Sequence, residues 1–201
     1  MTSQLRAPAT TLSPALLLRP WHERDLPALI AAYRDPDLRR FTMMPVDNQD
    51  DALRWLDIRH QGRLTGTYLA FAGFEELEDG TEGRLVANVV LKRPDPGAPG
   101  AEVGYWTVAG ARGTGVAPRA LETLTAWAFE SFADDGLRHL ELLHQVDNTA
   151  SCRVAQKCGF RYETTLPARP PFPNDGHLHI RRTQEHSRSG PLSVVDGSMG
   201  T

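Results

Sequence analysis

The sequence predicts an α+β fold built on a mixed, mostly antiparallel sheet. Three observations lead there. The apolar runs follow the order strand, two helices, three strands, helix, strand, helix, two strands. A glycine-rich corner at 112–117 opens a β-helix-β crossover, where ligands favour the carboxyl ends of the strands. The chain has 201 residues, 40% hydrophobic and 23% charged, which fits one domain with a real core.

The elements read in order as follows. Residues 1–14 form a loose lead-in, and Leu16–Arg19 is a short apolar strand stopped by Pro20. Asp25 caps a helix in which Leu26, Leu29, Ile30 and Tyr33 repeat at helical spacing, and Pro36 bars its continuation. Asn48 caps a second helix with Ala52, Trp55 and Leu56 on one face and Gly62 as its stop. Thr67–Phe74 and Arg84–Arg93 are β-rich runs joined by the turn signal Glu78-Asp79-Gly80. A further turn, Pro94–Ala101, leads to a strand at Glu102–Val108. The helix after the corner buries Ala120, Leu121, Leu124, Trp127, Ala128 and Phe132. Leu137–Val146 is a strand, and Asp147 or Asn148 caps a helix ending at Gly159. Phe160–Leu166 and His177–Thr183 close the fold. The domain is expected over 15–186, with a mobile Ser/Gly-rich tail over 187–201.

Composition narrows the function classes. A net charge of -3 argues against nucleic acid as the main partner. No stretch approaches the roughly 20 apolar residues of a membrane span, and the N-terminus lacks a signal-peptide run. Cys152 and Cys158 lie six apart in one expected helix without a CxxC, which fits a reduced, cytoplasmic protein.

The corner Arg112-Gly113-Thr114-Gly115-Val116-Ala117 carries the first chemistry. Glycines allow a sharp turn and a close ligand approach. The helix that follows leaves its first N–H groups unpaired, a setting that suits a phosphate or pyrophosphate. Pro118 loses nothing there, because its missing N–H belongs to that unpaired turn. A P-loop would need a lysine that is absent, and a dinucleotide fingerprint would need glycine where Pro118 stands. A glycine-rich turn that binds nothing stays open on this stretch alone.

Three blocks together carry a resemblance. "LLLRPWHERDLPALIAAYRDPDLRRF", "AEVGYWTVAGARGTGVAPRAL" and "VDNTASCRVAQKCGF" resemble, in order and spacing, the GNAT-superfamily N-acetyltransferases of the RimJ/RimL-like branch. The resemblance covers about residues 15–184. It implies a GNAT-like sheet of about seven strands, two of them splayed, flanked by about four helices. It implies acetyl-CoA as co-substrate. The backbone of Tyr105, Trp106 and Thr107 would bond the pantothenate arm. The N–H groups from Gly113 through Thr114, Gly115, Val116 and Ala117 to Pro118 would hold the pyrophosphate, with Arg112 lending charge. Asn148 would bond the arm from the far side. Asn148 and Ser151 lie three apart at a helix start and share a face; an N-cap and a first-turn backbone bond are their plainer readings.

Acyl transfer to an amine needs a base, donors to the thioester oxygen and a proton near the leaving sulfur. Glu102 is the candidate base, directly or through water, with a solvent-facing or salt-bridged carboxylate as its plain alternative. Ser151 is the candidate proton donor that the branch implies, and a strand N–H such as that of Thr107 would polarise the carbonyl. The RimI type carries a Glu five residues before the Asn and a Tyr seven after it; Leu143 and Ala155 stand here instead, so that route is absent. His144 is a reserve base or a packed histidine. His177 and His179 alternate on one strand face, but sequence places no acidic or cysteine partner beside them, so no metal is expected. Arg119, Arg153 and Lys157 either reach the 3′-phosphate of CoA or form a solvated basic face.

The expected function is acetyl transfer from acetyl-CoA to a primary amine, a protein N-terminus or a small molecule, by direct attack in a ternary complex. The rival is a catalytically inactive acyl-CoA-binding module with a sensor or assembly role. It needs the loop and Asn148 but neither Glu102 nor Ser151. The partners are acetyl-CoA and the amine, without nucleic acid or membrane. The oligomeric state is open, a homodimer among the options.

Overall fold

The computed structural model describes residues 4–183 except 12 and 171; the expected tail over 187–201 lies outside them. Eight strands and five α-helices occur among the described residues. The chain runs β1 (Leu5–Ala7), β2 (Leu16–Arg19), α1 (Leu26–Ala32), α2 (Pro36–Phe41), α3 (Gln49–Thr65), β3 (Tyr68–Glu76), β4 (Glu82–Lys92) and β5 (Gly100–Thr107). It continues through α4 (Val116–Ser131), β6 (His139–Gln145), α5 (Thr149–Lys157), β7 (Arg161–Leu166) and β8 (Gly176–Arg182). One sheet takes the order β1-β2-β3-β4-β5-β6-β8-β7. Every pairing is antiparallel except β5 with β6. The expected α+β architecture stands, with one more strand and one more helix than expected.

Helices cover both faces, and the two-residue period of the strands divides the core between them. Leu69, Phe71, Val89, Leu91 and Val103 pack with Leu121, Leu124 and Trp127 of α4. The intervening Ala70, Ala72, Phe74 and Val90 pack with Trp21, Leu29 and Trp55 under α1 and α3. Residues Leu69 to Phe74 of β3 are therefore buried in succession, as a strand with both faces covered requires.

Several local expectations shift. The lead-in is not wholly loose: Leu5–Ala7 pairs antiparallel with Leu16–Leu18, and Ala7 is fully buried. Pro36 does not follow the first helix as a bar; α1 has already ended at Ala32, and Pro36 opens α2. Proline suits that first helical position, and the Asp35 carboxylate accepts the Asp37 N–H at 3.1 Å. Gly62 lies inside α3, which runs on to Thr65 and ends at Gly66 in the left-handed region (φ 72). Gly62 answers a packing need instead, since a Cβ there would sit 2.4 Å from the Cβ of Tyr68.

Asp25 does not cap α1 with its side chain. Its buried carboxylate takes Arg19 Nη1 at 2.6 Å and Nη2 at 2.9 Å, plus the His22 N–H at 2.9 Å. Arg19 also reaches Glu82 at 2.5 and 2.8 Å and lies over the Phe74 ring. This cluster ties β2, the start of α1 and β4 together.

Candidate active site

The site begins where β5 and β6 part. Their parallel pairing runs from Gly100↔His139 to Val103↔Leu142 and then stops. Each strand continues on its outer partner: β5 pairs with β4 as far as Thr107↔Ala87, and β6 pairs with β8 as far as Gln145↔Gly176. The inner edges of Gly104–Thr107 and Leu143–Gln145 are left with backbone groups directed into the gap. An unpaired strand edge is a template for an extended, amide-bearing ligand. The expected role for the Tyr105, Trp106 and Thr107 backbone falls on this open edge.

Beyond β5 the chain makes a short 3-10 turn at Ala109–Ala111 and reaches the glycine-rich corner. Gly113 (φ 79) and Gly115 (φ 80) both take the left-handed region, and a Cβ on either would meet open space. Gly115 is the N-cap of α4 and offers no side-chain cap. Among the described residues, no hydrogen bond within the chain takes up the N–H groups of Gly113 to Ala117. The corner thus presents free donors at the positive end of a 16-residue helix, a setting that suits a phosphate or pyrophosphate. Ser13 braces it by donating to the Thr114 carbonyl at 3.0 Å, and the Thr114 hydroxyl donates to the Ala111 carbonyl at 2.8 Å.

The basic residues near the corner are partly engaged. Arg112 pairs with Asp35 and with Asp37 (3.2 Å). Arg119 donates to the carbonyls of Pro8 and Pro14 at 2.7 and 2.6 Å, which pins the N-terminal segment to α4. Arg153 and Lys157 are exposed. Helix α2 also reaches the opposite wall, because Arg40 pairs with Asp147 between β6 and α5. It therefore contacts both sides of the gap.

The far wall is the start of α5. Asn148 Oδ1 accepts the Ser151 N–H at 3.2 Å, so the plain N-cap reading of Asn148 describes that oxygen. Its amide nitrogen has no hydrogen bond within the chain among the described residues. Ser151 is buried, and its hydroxyl lies 3.0 Å from the hydroxyl of Tyr105. Burial pushes the Tyr105 phenol up to about 12, against the lowering effect of the Ser151 hydrogen bond. Tyr105 is therefore a neutral donor near neutral pH.

From sequence, Tyr105 has a role for its backbone and none for its side chain. The available signal was its parity with Ala101 and Val103, which face α4. Its partner lies 46 residues away, a distance that no local pattern reveals.

Glu102 has the opposite parity and lies on the other face of β5, the face of Trp106. Lys92 Nζ contacts its carboxylate at 2.5 Å across the β4–β5 pair, so Glu102 is salt-bridged and half-exposed. The structure brings Ser151 to Tyr105 and keeps Glu102 apart from both. His144 is half-buried, and burial, with its neighbour His177, holds its imidazole below the usual range. Its Nδ1 is 2.8 Å from the Gln145 carbonyl, and its Nε2 faces His179 and Cys152. The expectation that His177 and His179 lack a cysteine partner is corrected here: the fold places Cys152 Sγ 3.4 Å from His177 Nδ1.

The comparisons with known proteins bear on the fold and the family. The acetyltransferase (GNAT) domain matches residues 15–161. No curated protein matches the chain by sequence. Among solved structures, RimJ of Mycobacterium smegmatis in complex with CoA-disulfide is 22% identical, with a TM-score of 0.74 over 92% of this chain and 88% of that one. RimL, a ribosomal-protein alpha-N-acetyltransferase in complex with coenzyme A, is 20% identical, with a TM-score of 0.73 over 88% and 97%. The microcin self-immunity acetyltransferase MccE, in complex with acetyl-CoA and AMP, is 18% identical, with a TM-score of 0.70 over 84% and 92%. At these identities the likeness is one of fold. With the domain match spanning most of its length, the chain belongs to the GNAT acetyltransferase family.

Proposed function

We propose that the protein transfers the acetyl group of acetyl-CoA to a primary amine by direct attack in a ternary complex. The observation that carries this reading is the gap between β5 and β6, with free backbone donors at one end and Ser151 on its wall. Acetyl-CoA supplies an activated thioester. The N–H groups of Gly113 to Ala117 hold the pyrophosphate with Arg112 alongside, and the edge of Tyr105, Trp106 and Thr107 bonds the pantothenate arm. The Asn148 amide nitrogen bonds that arm from the opposite wall. The fold likeness to RimJ and RimL favours a protein N-terminus as acceptor, and small-molecule amines share the chemistry.

The roles divide across the sheet. An α-amino group has a pKa of about 8 and a lysine amine about 10.4, so the acceptor must shed a proton before it attacks. Glu102 takes that proton, directly or through water, on its face of β5. The Thr107 N–H polarises the carbonyl. On the other face, Ser151 donates its hydroxyl hydrogen toward the departing sulfur. Tyr105, kept protonated by burial, donates to Ser151 in turn. A base and an acid on opposite faces of β5 keep the incoming and leaving groups apart.

The test is product formation from acetyl-CoA with a panel of peptides, polyamines and aminoglycosides, read by mass spectrometry. Acetylated product is expected from at least one amine class. Tight acetyl-CoA binding without product across the panel would instead favour a binding module.

A further inference from the structure

We propose that His144, Cys152, His177 and His179 form a four-ligand zinc site that fixes the start of α5 to the sheet. Their ligand atoms all lie within 4.8 Å of one another, the one such gathering of His, Cys, Asp or Glu among the described residues. His144 Nε2 is 3.3 Å from His179 Nε2 and 3.5 Å from Cys152 Sγ, and Cys152 Sγ is 3.4 Å from His177 Nδ1. A tetrahedral zinc with nitrogen ligands at about 2.0–2.1 Å and sulfur at about 2.3 Å sets its ligand atoms about 3.3–3.6 Å apart. These three spacings match that geometry, and the remaining pairs, all within 4.8 Å, close onto a shared metal through small side-chain rotations.

The surroundings fit a metal as well. With its Nδ1–H donated to the Gln145 carbonyl, His144 presents the bare lone pair of Nε2 to the cluster. His179 is 1% exposed, and its Nδ1 faces the backbone of Phe160 without closing a good hydrogen bond. The Tyr162 ring stands edge-on to both His177 and His179 and closes one side. Cys158 takes no part, since its thiol donates to the Pro118 carbonyl at 3.3 Å. Imidazole and thiolate ligands suit zinc rather than calcium or magnesium.

The ligands come from three elements: His144 from β6, Cys152 from α5, and His177 and His179 from β8. Four protein ligands leave no open position, which makes the site structural. Cys152 directly follows Ser151, so the metal would hold the wall that carries Ser151 and Asn148. The proposal is independent of the acetyl-transfer reading and is tested without activity.

The test is zinc analysis of the tag-free full chain after gel filtration, followed by cobalt(II) substitution of the chelator-stripped protein. About one zinc per chain is expected, together with a cobalt–thiolate charge-transfer band. The Cys152→Ser and His179→Gln variants should lose the band and at least about tenfold in zinc occupancy. Wild-type protein that retains no zinc and gives no cobalt–thiolate band would overturn the site, whether or not the variants fold. So would full zinc retention in a variant that combines Cys152→Ser with His179→Gln.

Discussion

The hydroxyls of Tyr105 and Ser151 lie 3.0 Å apart and join β5 to α5 across the opening between β5 and β6. One residue comes from the strand before the corner and the other from the wall that faces it. If Tyr105 supports Ser151 as a donor, Tyr105→Phe should lower kcat about tenfold with little change in KM, less than the roughly hundredfold or greater loss of the donor itself because Ser151 remains in place. Steady-state kinetics of wild type and variant check this. A variant with raised KM and unchanged kcat would show that the phenol serves binding alone.

The corner should tolerate no acidic side chain. Gly115→Glu puts a side chain on a backbone at φ 80 and a negative charge at the helix N-terminus where the pyrophosphate is placed. The expected result is loss of the acetyl-CoA-induced rise in melting temperature. Differential scanning fluorimetry measures it, and an unchanged rise would remove the corner from the site.

Glu102 is held by Lys92 at 2.5 Å and lies on the face of β5 away from Ser151. As the base, its replacement in Glu102→Gln should reduce kcat/KM about a hundredfold at neutral pH. The loss should shrink at high pH, where more of the amine is already deprotonated. A pH–rate profile separates this from a salt-bridge role, for which the loss would not depend on pH.

The Arg19–Asp25–Glu82 cluster makes a stability prediction. Burial alone would raise the Asp25 carboxyl, but Arg19 and the His22 N–H hold it below its ordinary value of 3.8. Glu82 is held below 4.5 chiefly by Arg19. Both groups are depressed in the folded state, so their stabilisation is complete above those ordinary values. It is lost as pH falls through the folded ones. Asp25→Asn should cost about 3 kcal/mol, the low end for a broken buried pair because Glu82 still faces Arg19. It should also flatten the fall in stability below about pH 4, where the wild type loses this contribution. Urea unfolding at several pH values measures both effects.

Much of this molecule was legible in the order and period of its residues. The β-rich apolar runs of β3 and β4, the α4 stripe and the Asn48 and Asn148 caps all appear locally in the chain. So does the corner, because Gly113 and Gly115 mark left-handed backbone. The missed features have two causes. Some signals are ambiguous: Pro36 can end one helix or begin another, and Gly62 can stop a helix or let Tyr68 approach it. The three-residue β1 is too short for a period to show. Other features exist only once the chain is folded. Tyr105 meets Ser151 because β5 pairs in parallel with β6, which leads into α5, and His144 meets His179 because β8 inserts between β6 and β7; no spacing in the chain encodes these contacts.

The most direct measurement is release of the CoA thiol from acetyl-CoA, followed with a thiol reagent in the presence of an accepted amine, for wild type and Ser151→Ala. Amine-dependent release is expected in the wild type and a drop of about a hundredfold in the variant, with acetyl-CoA affinity retained. Wild-type turnover in Ser151→Ala would take that hydroxyl out of the chemistry. Bound acetyl-CoA with no amine-dependent release from the wild type would contradict acetyl transfer itself.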